Sequence, residues 1–173
     1  MDNKKIENLL NITYEMLLKQ NKNIKKNEKE LGELEETLSG NDENFFILRG
    51  LDEVMAIALQ EEKKKYFFKY INDFIWVHGL SDGTKEYTLE KMKENCSEET
   101  ETIVGNSKYN ESSAESRKLE KEMRESFSDE ENRIFEIYSD VSADIESIKS
   151  HLFFEAMLQT GAFLKKIEEV TEV

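Results

Sequence analysis

Few side chains in this sequence are able to hold a metal or attack a substrate: two histidines, His78 and His151, and one cysteine, Cys96, beside 38 Asp and Glu. A carboxylate-bridged di-iron bundle needs Glu-x-x-His on two helices plus two further carboxylates. Ile75 stands three residues before His78, and Ile148 three before His151, so neither histidine completes that motif, and HExxH cannot be built. His151 and Glu155 are one helical turn apart, a spacing that predicts a surface hydrogen bond rather than a cation site. Cys96 is followed by Glu98 and Glu99, whose charges disfavour a thiolate. There is no G-x-S-x-G and no phosphate-cradling glycine loop. Asp82-Gly83-Thr84-Lys85-Glu86 is too short for a calcium loop and carries a lysine. The expectation is a protein that is not an enzyme and takes no cofactor and no metal.

Charge is the stronger signal. The formal net charge is −14. Residues 1–95 hold 15 Lys and Arg against 19 Asp and Glu, a net −4, whereas residues 96–173 hold 9 against 19, a net −10. Such a field repels a phosphate backbone, so direct nucleic-acid binding is not expected. Lys19, Lys22, Lys25, Lys26 and Lys29 lie close together, but no aromatic residue among them offers a stacking platform, and a solvated helix face accounts for them. A basic protein would be attracted instead. The candidate partner-binding residues are Glu98, Glu99, Glu101, Glu111, Glu115, Glu120, Glu122, Glu125, Asp129, Glu130 and Glu131.

Helices must position these groups. No proline occurs in 173 residues, and proline is what most reliably interrupts a helix interior. Hydrophobic and charged fractions of 38% and 36% suit helices with narrow apolar seams. Leu10, Leu17, Ile24, Leu31 and Leu38 recur every seven residues and predict one helix over 3–38. Ser39-Gly40-Asn41-Asp42 supplies a stop and a new cap. A second helix over 42–78 carries Ile47, Leu48, Leu51, Val54, Met55 and Ala58, then the aromatic run YFFKYINDFIWVHG from Tyr66 to Gly79. Phe67, Tyr70, Ile71, Phe74 and Val77 keep helical spacing and predict core, with Trp76 at the bundle end or on its outer face. A short helix follows over 84–95, then CSEETETIVGNSKYNESS, which reads as a mobile linker over 96–113. Ser128-Asp129-Glu130-Glu131 has the form of a capping box, and Ile134, Tyr138, Val141, Ile145, Ile148 and Leu152 form a heptad-like seam of a helix reaching about residue 169.

The segment 127–170, ending FFEAMLQTGAFLKKIEEV, resembles the terminal portion of small uncharacterised helical proteins of bacterial and mobile-element genomes, whose last helix reads F-x-x-G-F-x-x-G. Ala156 stands where the first of those glycines would be, and Gly161 is retained. The resemblance covers about a quarter of the chain and implies an all-helical fold, with no activity to carry over.

The sequence thus predicts an all-α protein, an elongated bundle of about five or six helices, organised as 1–95, a linker over 96–113, and 114–173 in one cooperative unit. The absence of a disulfide partner for Cys96, of an apolar leader in MDNKKIENLL and of any uncharged 18-residue run points to a soluble, cytoplasmic protein. The expected function is noncatalytic binding of another protein. Its sharper form is an acidic inhibitor that occupies the basic surface of a nucleic-acid-handling effector, as phage-encoded inhibitors do. A structural homodimer or adaptor, and a small-ligand-binding bundle using the aromatic end near Trp76, are the alternatives.

Overall fold

A computed structural model describes residues 2–40, 43–101 and 107–171, and these are helical almost throughout, with no strand among them. Seven α-helices occur among the described residues: α1 (Asn3–Gln20), α2 (Lys22–Ser39), α3 (Asn44–Lys69), α4 (Ile71–Trp76), α5 (Asp82–Glu101), α6 (Ser107–Ser126) and α7 (Asp129–Thr171), with a 3-10 turn at Val77–Gly79 after α4. The all-α class stands, and the helix count exceeds the expected five or six.

Both long N-terminal helices are interrupted. The single helix expected over 3–38 breaks at Asn21, which adopts an extended backbone (φ −78°, ψ 113°) while its N–H donates to the Leu17 and Leu18 carbonyls. Asparagine competes with the helix for its own backbone, and a break of one residue leaves no mark in the seven-residue repeat of the sequence. The helix expected over 42–78 stops at Lys69. Tyr70 leaves the helical region (φ −114°, ψ 22°), and its hydroxyl donates to Glu99 Oε1 at 2.6 Å. Asn41 and Asp42, the expected cap, lie outside the described residues.

The expected linker is also corrected. Residues 96–101 complete α5 and 107–113 open α6; residues 102–106 lie outside the described ones. Leu89, Met92, Cys96 and Thr100 form one inward stripe, and Thr100 Oγ1 donates to the Cys96 carbonyl at 2.6 Å. On α6, Ser112, Ser116 and Met123 are buried at helical spacing. Small and polar side chains occupy these inward positions, which is why the stretch reads as solvated.

The chain forms two compact units: residues 1–21, 62–102 and 149–173 make one, and 22–61 with 103–148 make the other. This grouping does not follow the expected division at 96–113, because α3 and α7 each contribute one part to each unit. The core of the first unit gathers Leu10, Phe67, Phe74, Val77, Phe153 and Met157. Tyr14 meets Phe153 edge-on at 5.0 Å, and Phe67 meets Phe74 at 5.2 Å. The aromatic run is core, as its spacing predicts, while Trp76 faces outward. In this unit α7 approaches α4 closely enough at Gly161 that a Cβ there would lie 2.7 Å from the Phe74 carbonyl carbon.

The core of the second unit gathers Leu38, Phe45, Leu48, Met123, Phe135 and Tyr138. Its α7 start is the expected capping box: Ser128 N–H donates to Glu131 Oε2 at 2.8 Å, and Glu131 N–H to Ser128 Oγ at 3.3 Å. The Asn132 side-chain amide donates back to the Arg124 and Phe127 carbonyls, satisfying acceptors left open at the end of α6. No helix among the described residues is long and apolar enough to cross a membrane.

A candidate binding cleft

Cys96 and His78 are tied into the first unit, whereas His151 is not. Cys96 is buried, and its thiol is pushed up to about 11 by desolvation first, with Glu99 adding to it. Burial, rather than the acidic neighbours seen in the sequence, is the main reason the thiolate is suppressed. His78 Nε2 lies 2.8 Å from the Leu158 carbonyl; desolvation lowers its pKa, so the neutral ring donates Nε2–H and ties the 3-10 turn to α7. His151 is exposed, and Glu155 accepts from Gln159 Nε2 at 3.1 Å. Among the described residues no three of His, Cys, Asp and Glu stand where they would hold a metal ion.

The predicted acidic residues fall in both units. In the first, Glu98 and Glu99 are exposed on α5, and the side chain of Glu101 lies outside the described residues. Glu99 accepts from the Tyr70 hydroxyl and from Lys69 Nζ at 2.9 Å, bonds that hold its carboxyl below the usual range. In the second, α6 carries five glutamates but also five Lys and Arg, a net charge of zero. Glu120 pairs with Arg124 at 2.9 Å, Glu122 with Lys118 at 3.9 Å and Glu125 with Lys121 at 4.0 Å. Glu130 pairs with Arg133 at 3.9 Å, and Glu131 is the cap described above. Glu111, Glu115 and Asp129 are exposed.

The larger net negative charge lies one helix further on, where Glu130 pairs with Arg133 and Glu136 lies 3.8 Å from Arg124. Residues 129–148 of α7 hold seven Asp and Glu against one arginine, Arg133, a net −6. Glu136, Asp140, Asp144 and Glu146 are exposed there and were not singled out from the sequence. Attention to the seam Ile134–Leu152 conceals them, since they are the polar complement of its apolar positions.

A further departure is on α3, which is turned so that Phe45, Leu48, Asp52, Met55 and Leu59 face inward. Phe46, Ile47, Val54 and Ile57 are left 58%, 49%, 38% and 55% exposed. Ile47 and Val54, which the sequence spacing groups on one helical face with Leu48 and Met55, are therefore outside. With apolar residues on both sides of this helix, periodicity does not choose a face.

The inward carboxylate borders a cleft of about 330 Å³ within the second unit. Leu48, Met55 and Leu59 of α3 give it an apolar wall; Ala56, Ser139, Ser142 and Ala143 leave the space open by being small; and Tyr109, Phe135 and Tyr138 add aromatic surface. Asp52, Glu120 and Glu146 are its charged lining residues, and no Lys, Arg or His lines it among the described residues. Ser116 Oγ donates to Asp52 Oδ1 at 3.3 Å. Desolvation raises the Asp52 pKa, and the charges of Glu120 and Glu146 push the same way against the lowering by Ser116.

A raised folded-state pKa means that the ionised carboxylate costs stability above that pKa, a cost that disappears as pH falls through it. Asp52→Asn keeps an acceptor for Ser116 and removes the charge. Thermal melts should show the variant more stable than wild type near neutral pH, with the advantage shrinking on acidification toward about pH 4. A lower melting temperature at neutral pH would contradict the desolvation argument.

Neither a protein-family model, a curated protein nor a solved structure matches the chain.

Proposed function

We propose that this chain is a noncatalytic binding module whose second unit engages a basic surface of another protein. The observation that carries the reading is the cleft bordered by Asp52, Glu120 and Glu146, with no Lys, Arg or His among its described lining residues, although Glu120 is paired with Arg124. The acidic first half of α7 supports it, with exposed Asp140 and Asp144 in no ion pair among the described residues. A partner whose basic surface normally grips a phosphate backbone has the complementary charge, so the module would act as an inhibitor by occupying that surface.

Capture of a partner from lysate, followed by affinity measurement between about 50 and 500 mM salt, tests this, because the Debye length falls roughly threefold over that range. Binding should weaken steeply, and nucleic acid should compete. Reversing Asp140 and Asp144 to lysine should slow association, whereas reversing Glu122 and Glu125, already balanced along α6, should have the smaller effect. Salt-independent affinity without competition by nucleic acid would overturn the reading.

One observation favours a second reading. The exposed stripe Phe46, Ile47, Val54 and Ile57 suits a structural dimer or adaptor joined by apolar contact. That reading predicts affinity insensitive to salt and to the α7 reversals but lost in Phe46→Ser with Ile57→Ser.

A further inference from the structure

We infer that the cleft of the second unit is an anchor pocket for one arginine side chain of the basic partner, an inference that rests on the proposed engagement of a basic protein. Three features select this occupant. Asp52 is held on the inward face of α3 with a serine hydroxyl as its hydrogen-bond donor, and among the described residues no Lys, Arg or His joins it in the cleft lining. A cation arriving from outside would give this half-buried carboxylate a charged partner that the cleft does not supply. The walls are otherwise apolar, small or aromatic, so the occupant must bury a hydrocarbon stem while bringing charge to the carboxylate.

Arginine meets both demands better than lysine. Its guanidinium is more weakly hydrated than an ammonium, stacks on aromatic faces and presents a planar fork to a carboxylate. The same unit already contains this arrangement. The Arg124 guanidinium lies 4.8 Å from the centre of the Phe135 ring while its Nε donates to Glu120 at 2.9 Å. Asp52 with Tyr138 offers a second carboxylate and a second ring in the lining of the same cleft. Ser139 and Ser142 supply hydroxyls able to accept the remaining guanidinium N–H donors. Asp52 thereby gains a purpose for its unfavourable position, since residues that cost stability concentrate where binding needs them.

The test uses the isotopically labelled 173-residue chain and three capped tripeptides, acetyl-Ala-X-Ala-amide, with X arginine, lysine or citrulline, the last a neutral analogue of arginine. Titration followed by amide chemical shifts should show the arginine peptide binding near the millimolar range, with the largest shifts at Asp52, Ser116 and Ser142. Citrulline should bind about tenfold more weakly, as expected for loss of one charge-assisted hydrogen-bonded pair, and lysine should fall between. Asp52→Asn should bring the arginine peptide to the level of citrulline. Ser142→Leu, which fills the cleft, should abolish binding of all three, with an unchanged circular dichroism spectrum showing that it folds. Equal binding of citrulline, equal binding of lysine, shifts mapping outside the cleft, or indifference to Asp52→Asn would each overturn the assignment. The two proposals fail separately. Partner capture that responds to the Asp140 and Asp144 reversals but not to Asp52→Asn removes the arginine anchor alone. Arginine binding in the cleft with salt-independent partner capture leaves a pocket for this side chain and removes the reading of a basic surface.

Discussion

Ile145→Asp is expected to unfold the protein or to lower its melting temperature by roughly 6 to 20 °C. Ile145 sits on the inward side of α7 in the second unit with 3% of its surface exposed. Ionised aspartate there would be a buried charge, and an uncompensated one costs about 3 to 5 kcal/mol. Total stability is typically about 5 to 15 kcal/mol, and for a chain of this size 1 kcal/mol corresponds to roughly 2 to 4 °C. Ile145→Val removes one methylene and should cost only about 1 kcal/mol. The pair therefore separates charge from volume. Because burial favours the protonated acid, the Asp variant should recover part of its deficit as pH is lowered. If Ile145→Asp melts within a few degrees of wild type at neutral pH, the seam does not face a core.

That seam was legible from sequence because its positions step regularly by three and four, even though Ile137 lies off it and is 40% exposed. The capping box at Ser128 and the burial of Phe67, Phe74 and Val77 were legible for similar reasons: each combines residue type with an unambiguous register. The breaks at Asn21 and Tyr70 were not. Each is a single residue leaving the helical region, with no proline or glycine to mark it, and the Tyr70 break is accompanied by a tertiary bond to Glu99. The helical identity of 96–101 and 107–113 was hidden because their inward positions are Cys96, Thr100 and Ser112, which composition counts as solvated.

The candidate site was the least legible part, and α3 shows why. Its two faces carry comparable apolar residues, Phe45, Leu48 and Met55 on one and Phe46, Val54 and Ile57 on the other. Only packing against α6 and α7 decides that the face bearing Asp52 turns inward. Charge was read correctly as an excess in the C-terminal part, but its placement on α6 missed the i,i+4 cations that neutralise that helix. Counting charges of both signs along each helix would have moved attention to 129–148.

Helix propensity and packing make opposite predictions at Gly161, which gives the second large test. Gly161→Ala in a free helix would stabilise by about 1 kcal/mol. Here the added methyl would lie 2.7 Å from the Phe74 carbonyl carbon and 3.0 Å from its Cβ. The obstructing carbonyl belongs to the backbone of α4 and has no rotamer to change. Relief therefore requires α4 and α7 to separate, which would also strain the 2.8 Å bond between His78 and the Leu158 carbonyl one turn earlier. Overpacking of this kind costs up to about 3 kcal/mol, occasionally more. The net expectation is a loss of about 2 kcal/mol, read as a fall of roughly 4 to 8 °C in melting temperature. Gly50→Ala is the counterpart, because Gly50 is an exposed glycine inside α3 and a Cβ there meets nothing within 4 Å. With no packing term to oppose propensity, its melting temperature should rise by about 2 to 4 °C. Opposite signs at the two glycines would establish that α7 and α4 are in backbone contact at Gly161, whereas stabilisation at both would remove that contact from the fold.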